Sequence, residues 1–455
     1  MFPRHVFREY DIRGVADRDL DDAFAHALGR GLGTVLGPGK RIALGRDCRL
    51  SSPRLHASLL AGLERVGVRV VDIGVVPTPM LYFAVHHLAT DGGVMITGSH
   101  NPPEDNGFKI MRGKASFFGA DIQTLRALVE EERFAPDATG SHEDADVLPA
   151  YVETVRSGIR IPSPEKLRVV VDAGNGAGGP AALAVMHAAG LRPEALYCDM
   201  DGRFPNHHPD PTVPANVAAL VERVRATGAR VGIAYDGDAD RLGAVDADGE
   251  IVWGDKLMIL FSRALLAERP GAAILGEVKC SQTLYDDIAL HGGTPILWKT
   301  GHSLIKTKMK ESGALLAGEM SGHLFFADRY FGYDDAVYAA ARLIELLSRS
   351  DQTLADLVDT LPVLYNTPEL RVPCPEEIKF EVVERAVAHY KARHPVVDVD
   401  GARVQFPGGW GLVRASNTGP ILVLRCEADS PERLASIRGE IEERLRLITA
   451  EVTGG

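Results

Sequence analysis

Cysteine is scarce in this chain and forms no pattern. Cys48, Cys198, Cys280, Cys374 and Cys426 are scattered, odd in number and without a C-x-x-C pair, which fits a reducing cytoplasm and no structural zinc. Long apolar runs are missing as well. The start, Met1-Phe2-Pro3-Arg4-His5, has no apolar leader core, and no later stretch approaches the ~18 apolar residues of a membrane span. A soluble, cytoplasmic protein without a membrane partner is therefore expected. Basic residues do not dominate: 50 Lys and Arg face 62 Asp and Glu, a net charge of −12. That balance argues against nucleic acid as a partner, while a local cluster of Arg and Lys can still hold a small anion. There is no Walker A loop, since the stretch around Gly39-Lys40 lacks both the first Gly and the final Ser or Thr.

What is present is an ordinary globular composition, 45% hydrophobic and 25% charged over 455 residues. It is enough for about three or four domains of about 100–150 residues. Strand and helix signals alternate. The first segment has a helix-period stretch from Asp19 to Leu36, a strand at Arg41–Gly45, a helix from Ser52 to Val66, and a strand at Val68–Ile73. A loop with Pro77 and Pro79 follows, then the buried strand Gly93–Ile96. The pattern restarts at Leu167–Asp172, with the helix Pro180–Ala189, and again at Ala272–Gly276, with a helix near Gln282–His291. Three α/β units of similar size suggest internal repetition. From Leu361-Pro362 the composition shifts. Pro368, Pro373 and Pro375 read as a linker before a smaller α+β segment with helices near Glu376–His394 and Pro431–Thr449.

Four loops could carry chemistry. Thr97-Gly98-Ser99-His100-Asn101-Pro102 puts a hydroxyl at a strand tip, where α/β sheets gather active residues, although each residue there is also a common turn former. Asp236-Gly237-Asp238-Ala239-Asp240-Arg241 follows the apolar strand Val231–Ala234. Its three alternating carboxylates repel unless a cation joins them, and oxygen ligands suit Mg²⁺ or Ca²⁺. EF-hand spacing fails, because Arg241 and Ala247 stand where Gly and Glu are needed. Gly318-Glu319-Met320-Ser321-Gly322-His323 could grip vicinal sugar hydroxyls, with Lys279 and Trp298-Lys299-Thr300-Gly301-His302 adding cations and an imidazole. Arg414-Ala415-Ser416-Asn417-Thr418-Gly419-Pro420 offers the donors of a phosphate cage.

One motif points elsewhere. Gly174-Asn175-Gly176-Ala177-Gly178-Gly179, with Asp199 downstream, matches a dinucleotide fingerprint and would suit an NAD-dependent dehydrogenase. It follows a whole α/β unit, however, and leaves the Asp triplet without a use, so a close strand–helix turn is the better reading. His207-His208-Pro209-Asp210 is taken as structural or substrate-adjacent.

Together, in this order, the four loops and the opening Phe7–Gly14 resemble the α-D-phosphohexomutase family, in particular its bacterial phosphomannomutase/phosphoglucomutase branch. Thr97 before Gly98-Ser99, and Met320 in the sugar loop, separate the chain from phosphoglucosamine mutases, which typically carry Ala before the serine and Gln in that loop. The resemblance implies four domains around a central cleft, three similar α/β units and a smaller α+β one, here 1–147, 148–250, 251–362 and 363–455.

It also implies that Ser99 carries a phosphoryl group and exchanges it with a hexose 1- or 6-phosphate through a bisphosphorylated sugar, glucose 1,6-bisphosphate serving as activator. Mg²⁺ would sit on Asp236, Asp238, Asp240 and Ser99. Arg414, Ser416, Asn417 and Thr418 would hold the remote phosphate. Glu319 and Ser321 would hold hydroxyls 3 and 4, with His323, Arg241, Lys279 and Tyr10 lining the substrate. A site reading only those hydroxyls accepts glucose and mannose alike. Lys109, His302, His100 and Arg13 are the candidates for acid, base and charge stabilisation. A monomer is expected, a dimer is allowed, and the fourth domain is expected to hinge near Leu361–Pro368. The remaining alternatives are phosphoglucosamine mutase, the dehydrogenase, and a non-catalytic sugar-phosphate binding protein.

Overall fold

The computed structural model describes residues 2–417 and 419–453. Its first three sheets repeat one plan. In the first, strands Arg41–Arg46, Arg69–Val75, Gly92–Ile96 and Asp105–Arg112 lie in the order fourth, third, first, second, with only the fourth antiparallel to its neighbour. Val169–Asp172, Glu194–Leu196, Val231–Tyr235 and Leu242–Asp246 repeat that order. So do Ala273–Glu277, Thr294–Trp298, Leu316–Gly318 and Leu324–Phe326. Each crossover to a parallel strand needs a helix. Helices Ser52–Arg65, Gly178–Ala188 and Gln282–Leu290 supply the first crossover, and Thr78–His87, Ala218–Thr227 and His302–Ser312 the second.

The plan fixes where chemistry can occur. In every unit the third strand runs into the fourth through a short loop at the same sheet edge, and those loops are the ones with Ser99, with Asp236–Arg241 and with Glu319–His323. The fourth sheet is antiparallel throughout, and its loop at Arg414–Asn417 lies between strands Gly409–Ala415 and Ile421–Ala428.

Two local expectations change. The stretch around Pro77 and Pro79 is not a loop: Pro79 lies in the first turn of helix Thr78–His87, where a missing N–H costs nothing. The proline-rich 365–375 stretch is not a free linker either. Tyr365–Asn366 and Leu370–Pro373 pair with the edge of Ile421–Ala428, a place where proline's missing donor faces away from the ladder.

One hydrophobic core runs through the three α/β units, joining Met80 and Phe83 of the first to Val169 and Ile233 of the second and Leu257 and Tyr338 of the third. The fourth unit has its own core around Val404, Leu424 and Ile441. It meets the third through the small cluster Val278, Trp410 and Leu412, and through Arg403, which donates to the carbonyls of Val278 and Cys280. No described helix is long and apolar enough to cross a membrane.

Asp335 ties the shared core together. It caps helix Ala336–Ser348 through the N–H of Tyr338 and accepts the hydroxyls of Tyr151 and Tyr330. Burial nevertheless pushes its carboxyl up to about 6. A carboxyl raised on folding binds its proton more tightly in the folded chain, so its contribution is greatest below about pH 4 and falls as the pH rises through about 6. Measured against Asp335→Asn, the wild-type chain should lose about 2–3 kcal/mol of stability between about pH 4 and pH 7. Urea midpoints for the two chains across that range check this, and parallel pH profiles would contradict it.

Candidate active site

Ser99 sits at the end of strand Gly92–Ile96 with φ of +49°, a left-handed conformation that non-glycine residues seldom adopt. The hydroxyl of Thr97 accepts its N–H at 2.8 Å. Beneath the loop, the fully buried guanidinium of Arg49 donates to the carbonyls of Ser99 (2.7 Å), Asn101 (2.7 Å) and Asp105 (2.9 Å), and also to that of Pro102. Asp47 neutralises Arg49 at 3.2 Å and accepts the N–H of Gly98. Gly98 must lack a side chain, since a Cβ there would stand 2.5 Å from Arg49 Cζ. Beside the loop, Arg13 is paired with Asp11 at 2.6 Å and donates to Asn101 Oδ1 at 3.0 Å.

The serine meets the acidic loop. Ser99 Oγ donates to Asp236 Oδ2 at 2.8 Å, and His100 Nδ1 lies 3.2 Å from Ser99 Oγ. Asp236, Asp238 and Asp240 are completely buried, each offering a carboxylate oxygen within 4.8 Å of the others. Lys109, on strand Asp105–Arg112, donates to Asp238 Oδ2 at 2.7 Å and to Asp240 Oδ2, while Thr78 donates to Asp238. Among the described residues, Asp238 Oδ1 and Asp240 Oδ1 have no hydrogen-bond partner. Burial and the two neighbouring carboxylates push Asp236 well above the usual range. Burial acts the same way on Asp238, but Lys109 and the hydrogen bonds from Lys109 and Thr78 outweigh it and hold Asp238 low. Burial works against the Lys109 ammonium, but those aspartates outweigh it, raise its pKa and keep it charged. Hard oxygen donors with orphaned lone pairs fit a divalent cation such as Mg²⁺.

The glycine-rich turn supports this loop from behind. A Cβ on Gly176 would stand 2.6 Å from the carbonyl of Gly237, and one on Gly237 would stand 2.3 Å from the carbonyl of Ser99. Turn, acidic loop and serine loop stack backbone on backbone at Gly176 and Gly237, while a Cβ on Gly178 would stand 2.5 Å from Ala239 Cβ and one on Gly179 would meet the backbone of Cys198. His207 is bound to Asp172 at 3.0 Å beside the same turn.

From the third unit, Glu319 accepts the N–H of Gly301 at 2.8 Å and the hydroxyl of Ser321 at 3.0 Å. Arg241 donates to His323 Nε2 at 3.0 Å, while His323 Nδ1 lies 3.1 Å from Asp334 Oδ2 and 3.6 Å from Asp240 Oδ1. Lys306 bridges Asp334 (2.9 Å) and His302 Nδ1 (3.3 Å), leaving His302 Nε2 as the nitrogen without a protein partner among the described residues. Burial first, then Lys306, pushes His302 well below the usual histidine range; burial, then Arg241 and Arg13, does the same to His100. Both rings are neutral near pH 7.

The fourth unit closes the ring of contacts. Arg414 is oriented by Asp400 at 2.9 Å, and Asp400 also accepts the N–H of Thr300. Asn417 donates to the Tyr10 hydroxyl at 2.7 Å, which donates to the carbonyl of Thr300 at 3.0 Å, so first, third and fourth units meet at one point. Ser416 is buried beside Lys379, which donates to its carbonyl. Lys279 is buried and held by Glu369 at 3.2 Å. Thr418 lies outside the described residues.

Several members of this network carry no sequence motif. Arg49 and Asp47 follow the first strand of the first unit, at its carboxyl end, and that position was a usable signal. Thr78, Lys306, Asp334, Asp400 and Glu369 are single residues that only the packing brings in.

Family profiles for phosphoglucomutase/phosphomannomutase match the chain in order: α/β/α domain I at residues 4–136, domain II at 149–249, domain III at 253–365 and the C-terminal domain at 369–444. The chain is 45% identical to a phosphomannomutase/phosphoglucomutase of Pseudomonas aeruginosa over 99% of its length and 97% of that protein's. The chain belongs to the phosphoglucomutase/phosphomannomutase family. It is 44% identical to a phosphoglucomutase of Neisseria gonorrhoeae, over 96% of each chain. The crystal structure of a phosphoglucomutase/phosphomannomutase family protein from Burkholderia thailandensis superposes with a TM-score of 0.92 at 42% identity, covering 98% of each chain. The chain is thus an enzyme of the mutase type, and the dehydrogenase and binding-protein readings fall away.

Arg49 should prove essential to the serine loop. Arg49→Met removes the donor to four carbonyls and strands Asp47, so a destabilisation of about 3–5 kcal/mol is expected together with loss of turnover. Paired urea melts and rate measurements check it; an unaltered midpoint would show that the loop holds its conformation unaided.

Proposed function

We propose that the chain interconverts hexose 1-phosphates and hexose 6-phosphates, of glucose and of mannose, by way of a phosphorylated Ser99 and a hexose 1,6-bisphosphate. The observation that carries this reading is the approach of Ser99 Oγ to the buried acidic loop, 2.8 Å from Asp236, with a phosphate-type cage on the facing unit. The family match supports the activity, and the domain limits 1–147, 148–250, 251–362 and 363–455 are proposed in line with the profile edges.

In the first half-reaction the free hydroxyl of the bound sugar phosphate attacks the phosphorus on Ser99. The new P–O bond to the sugar forms as the bond to Ser99 Oγ breaks, giving the bisphosphate and a free serine. In the second half the sugar, turned end for end, returns its other phosphoryl group to Ser99. Such transfers depend on positioning and charge neutralisation. Asp236, Asp238, Asp240 and a phosphoryl oxygen on Ser99 would hold Mg²⁺, which supplies positive charge at the transferring group.

Lys109, locked as an ammonium, and Arg13, steered by Asp11, serve as charge rather than as base. Proton transfer at the sugar oxygen is assigned to His302, whose neutral ring takes the attacking hydroxyl's proton in the first half and returns it to the departing sugar oxygen in the second. At the serine oxygen it is assigned to His100, whose ring takes the Ser99 proton in the second half and gives it back to the departing serine oxygen in the next first half. Arg414, Ser416, Asn417 and Thr418 take the remote phosphate, with Tyr10 at the mouth of the cleft. Glu319 and Ser321 take two sugar hydroxyls, and Lys279, Arg241 and His323 flank them. Both epimers at position 2 are accepted because none of these groups is assigned to that hydroxyl. On the scattered cysteines the enzyme is placed in the cytoplasm, acting as a monomer with a dimer allowed.

Mass spectrometry of the chain before and after incubation with glucose 1,6-bisphosphate and Mg²⁺ should find one phosphate, on the Ser99 peptide. Ser99→Ala should remain folded and lose roughly 1,000-fold or more in turnover. A folded wild-type chain that never takes up phosphate would overturn the phosphoserine route. Glu319→Ala removes a charged acceptor worth about 1.5–3 kcal/mol, so kcat/KM should fall roughly 10- to 150-fold on both sugars while Ser99 still becomes phosphorylated. Unchanged kinetics on both would remove Glu319 from sugar recognition.

A further inference from the structure

A second cavity, of about 420 Å³, lies between the third and fourth units beside the connecting residues 358–364. Helix Gly254–Glu268, the turn at Ser281 and strand Ile421–Ala428 form its walls, and none of the loops of the catalytic cleft reaches it. Its volume is in the range of small-molecule sites.

One wall residue is unsatisfied. Arg425 is only 6% exposed, yet its guanidinium makes no hydrogen bond with any described residue. Its Nε is buried without a partner, and the carboxylate of Asp255 stands off at 3.6 Å. A guanidinium has five donors and cannot shed its charge, so burial in this state is costly unless something binds it. The neighbouring carboxylates are already engaged. Asp255 accepts the N–H groups of Lys256 (2.9 Å) and Ser281 (3.0 Å), and Glu427 accepts the N–H of Gln282 (3.0 Å) and the indole of Trp410 (2.8 Å). Lys256 and the hydroxyls of Ser281 and Thr283 line the same space.

We propose that this cavity is a second binding site, for a small metabolite whose single oxyanion group, a phosphate or a carboxylate, docks on Arg425. The planar guanidinium matches either group with two parallel hydrogen bonds. Lys256 and the two hydroxyls complete the seat. The wall's own carboxylates disfavour a polyanion, so the rest of the ligand is uncharged. Because Arg425 belongs to the fourth unit and Lys256, Ser281 and Thr283 to the third, occupancy ties the two units together at the connecting segment. The site does not depend on the mutase mechanism.

The test uses the full chain, with inorganic phosphate as one probe and glycolate as the carboxylate arm. Binding is read as a rise in melting temperature and as a saturable change in tryptophan fluorescence, since Trp253 lines the cavity. Two chains are compared: Arg414→Met, which removes the cleft's own cage, and Arg414→Met/Arg425→Met, which removes the cavity's guanidinium as well. Phosphate should act on Arg414→Met, at the cavity, but not on Arg414→Met/Arg425→Met. Each chain's melting temperature in anion-free buffer is its own baseline, since Met at 425 also takes the ion-pair partner from Asp255. Response to phosphate alone assigns a phosphate ligand, and response to both probes assigns a general oxyanion seat. The proposal is overturned by a response that survives in Arg414→Met/Arg425→Met or by no response in Arg414→Met.

Discussion

The constraint on which the rest depends is electrostatic. Of three fully buried carboxylates, two share one hydrogen-bonded ammonium and the third accepts from Ser99, and two of their oxygens have no hydrogen-bond partner among the described residues. Burying unpaired charge is among the most expensive things a fold can do. The chain tolerates it because Lys109 and Thr78 fix the carboxylates from one side, Ser99 donates from another, and the remaining deficit is of the size a divalent cation fills. On the proposed mechanism the same deficit makes the site useful, because a place that demands positive charge and already orients a serine oxygen suits the passing of a phosphoryl group.

The repeated sheet plan explains how four distant stretches reach one point. At the end of each first strand a carboxylate accepts the N–H two residues on: Asp47 from Arg49, Asp172 from Gly174, and Glu277 from Lys279. At the end of each third strand comes the loop with the chemistry. The three units therefore carry the same two turns, one structural and one reactive, and they differ in what the reactive turn displays: a hydroxyl, a set of carboxylates, or a sugar-type acceptor. The structural turns are not idle. In the first unit that turn supplies Arg49, in the second it supplies the glycine stack behind Asp236–Arg241, and in the third it supplies Lys279.

This also shows why the sequence was readable in some places and opaque in others. The strands Gly92–Ile96 and Val231–Tyr235 were legible because buried parallel strands are continuous apolar runs, and their loops were legible because their residues are contiguous. Helix Thr78–His87 was hidden by its prolines, although Pro79 occupies a first-turn position where proline belongs. The edge pairing of 365–373 was hidden for a related reason: proline reads as a break unless the sheet edge is known. Lys306 and Asp334 could not be found at all. Each is a single charged residue in an otherwise ordinary stretch, and its meaning lies in a geometry joining a helix, a loop and His302.

Ser99 shows why three units are fused and one is not. Its left-handed backbone persists only because Arg49, Thr97 and the glycine stack over-determine it, and such over-determination needs a rigid surround. The core running unbroken through the first three units provides that rigidity. The fourth unit is held instead by a three-residue apolar cluster, Arg403 and a few polar contacts at Tyr10, Thr300 and Asp400. On the proposed mechanism this division is what the reaction requires. The half of the site that transfers the phosphoryl group must stay fixed through both half-reactions, whereas the half that grips the remote phosphate must release the bisphosphate long enough for it to turn.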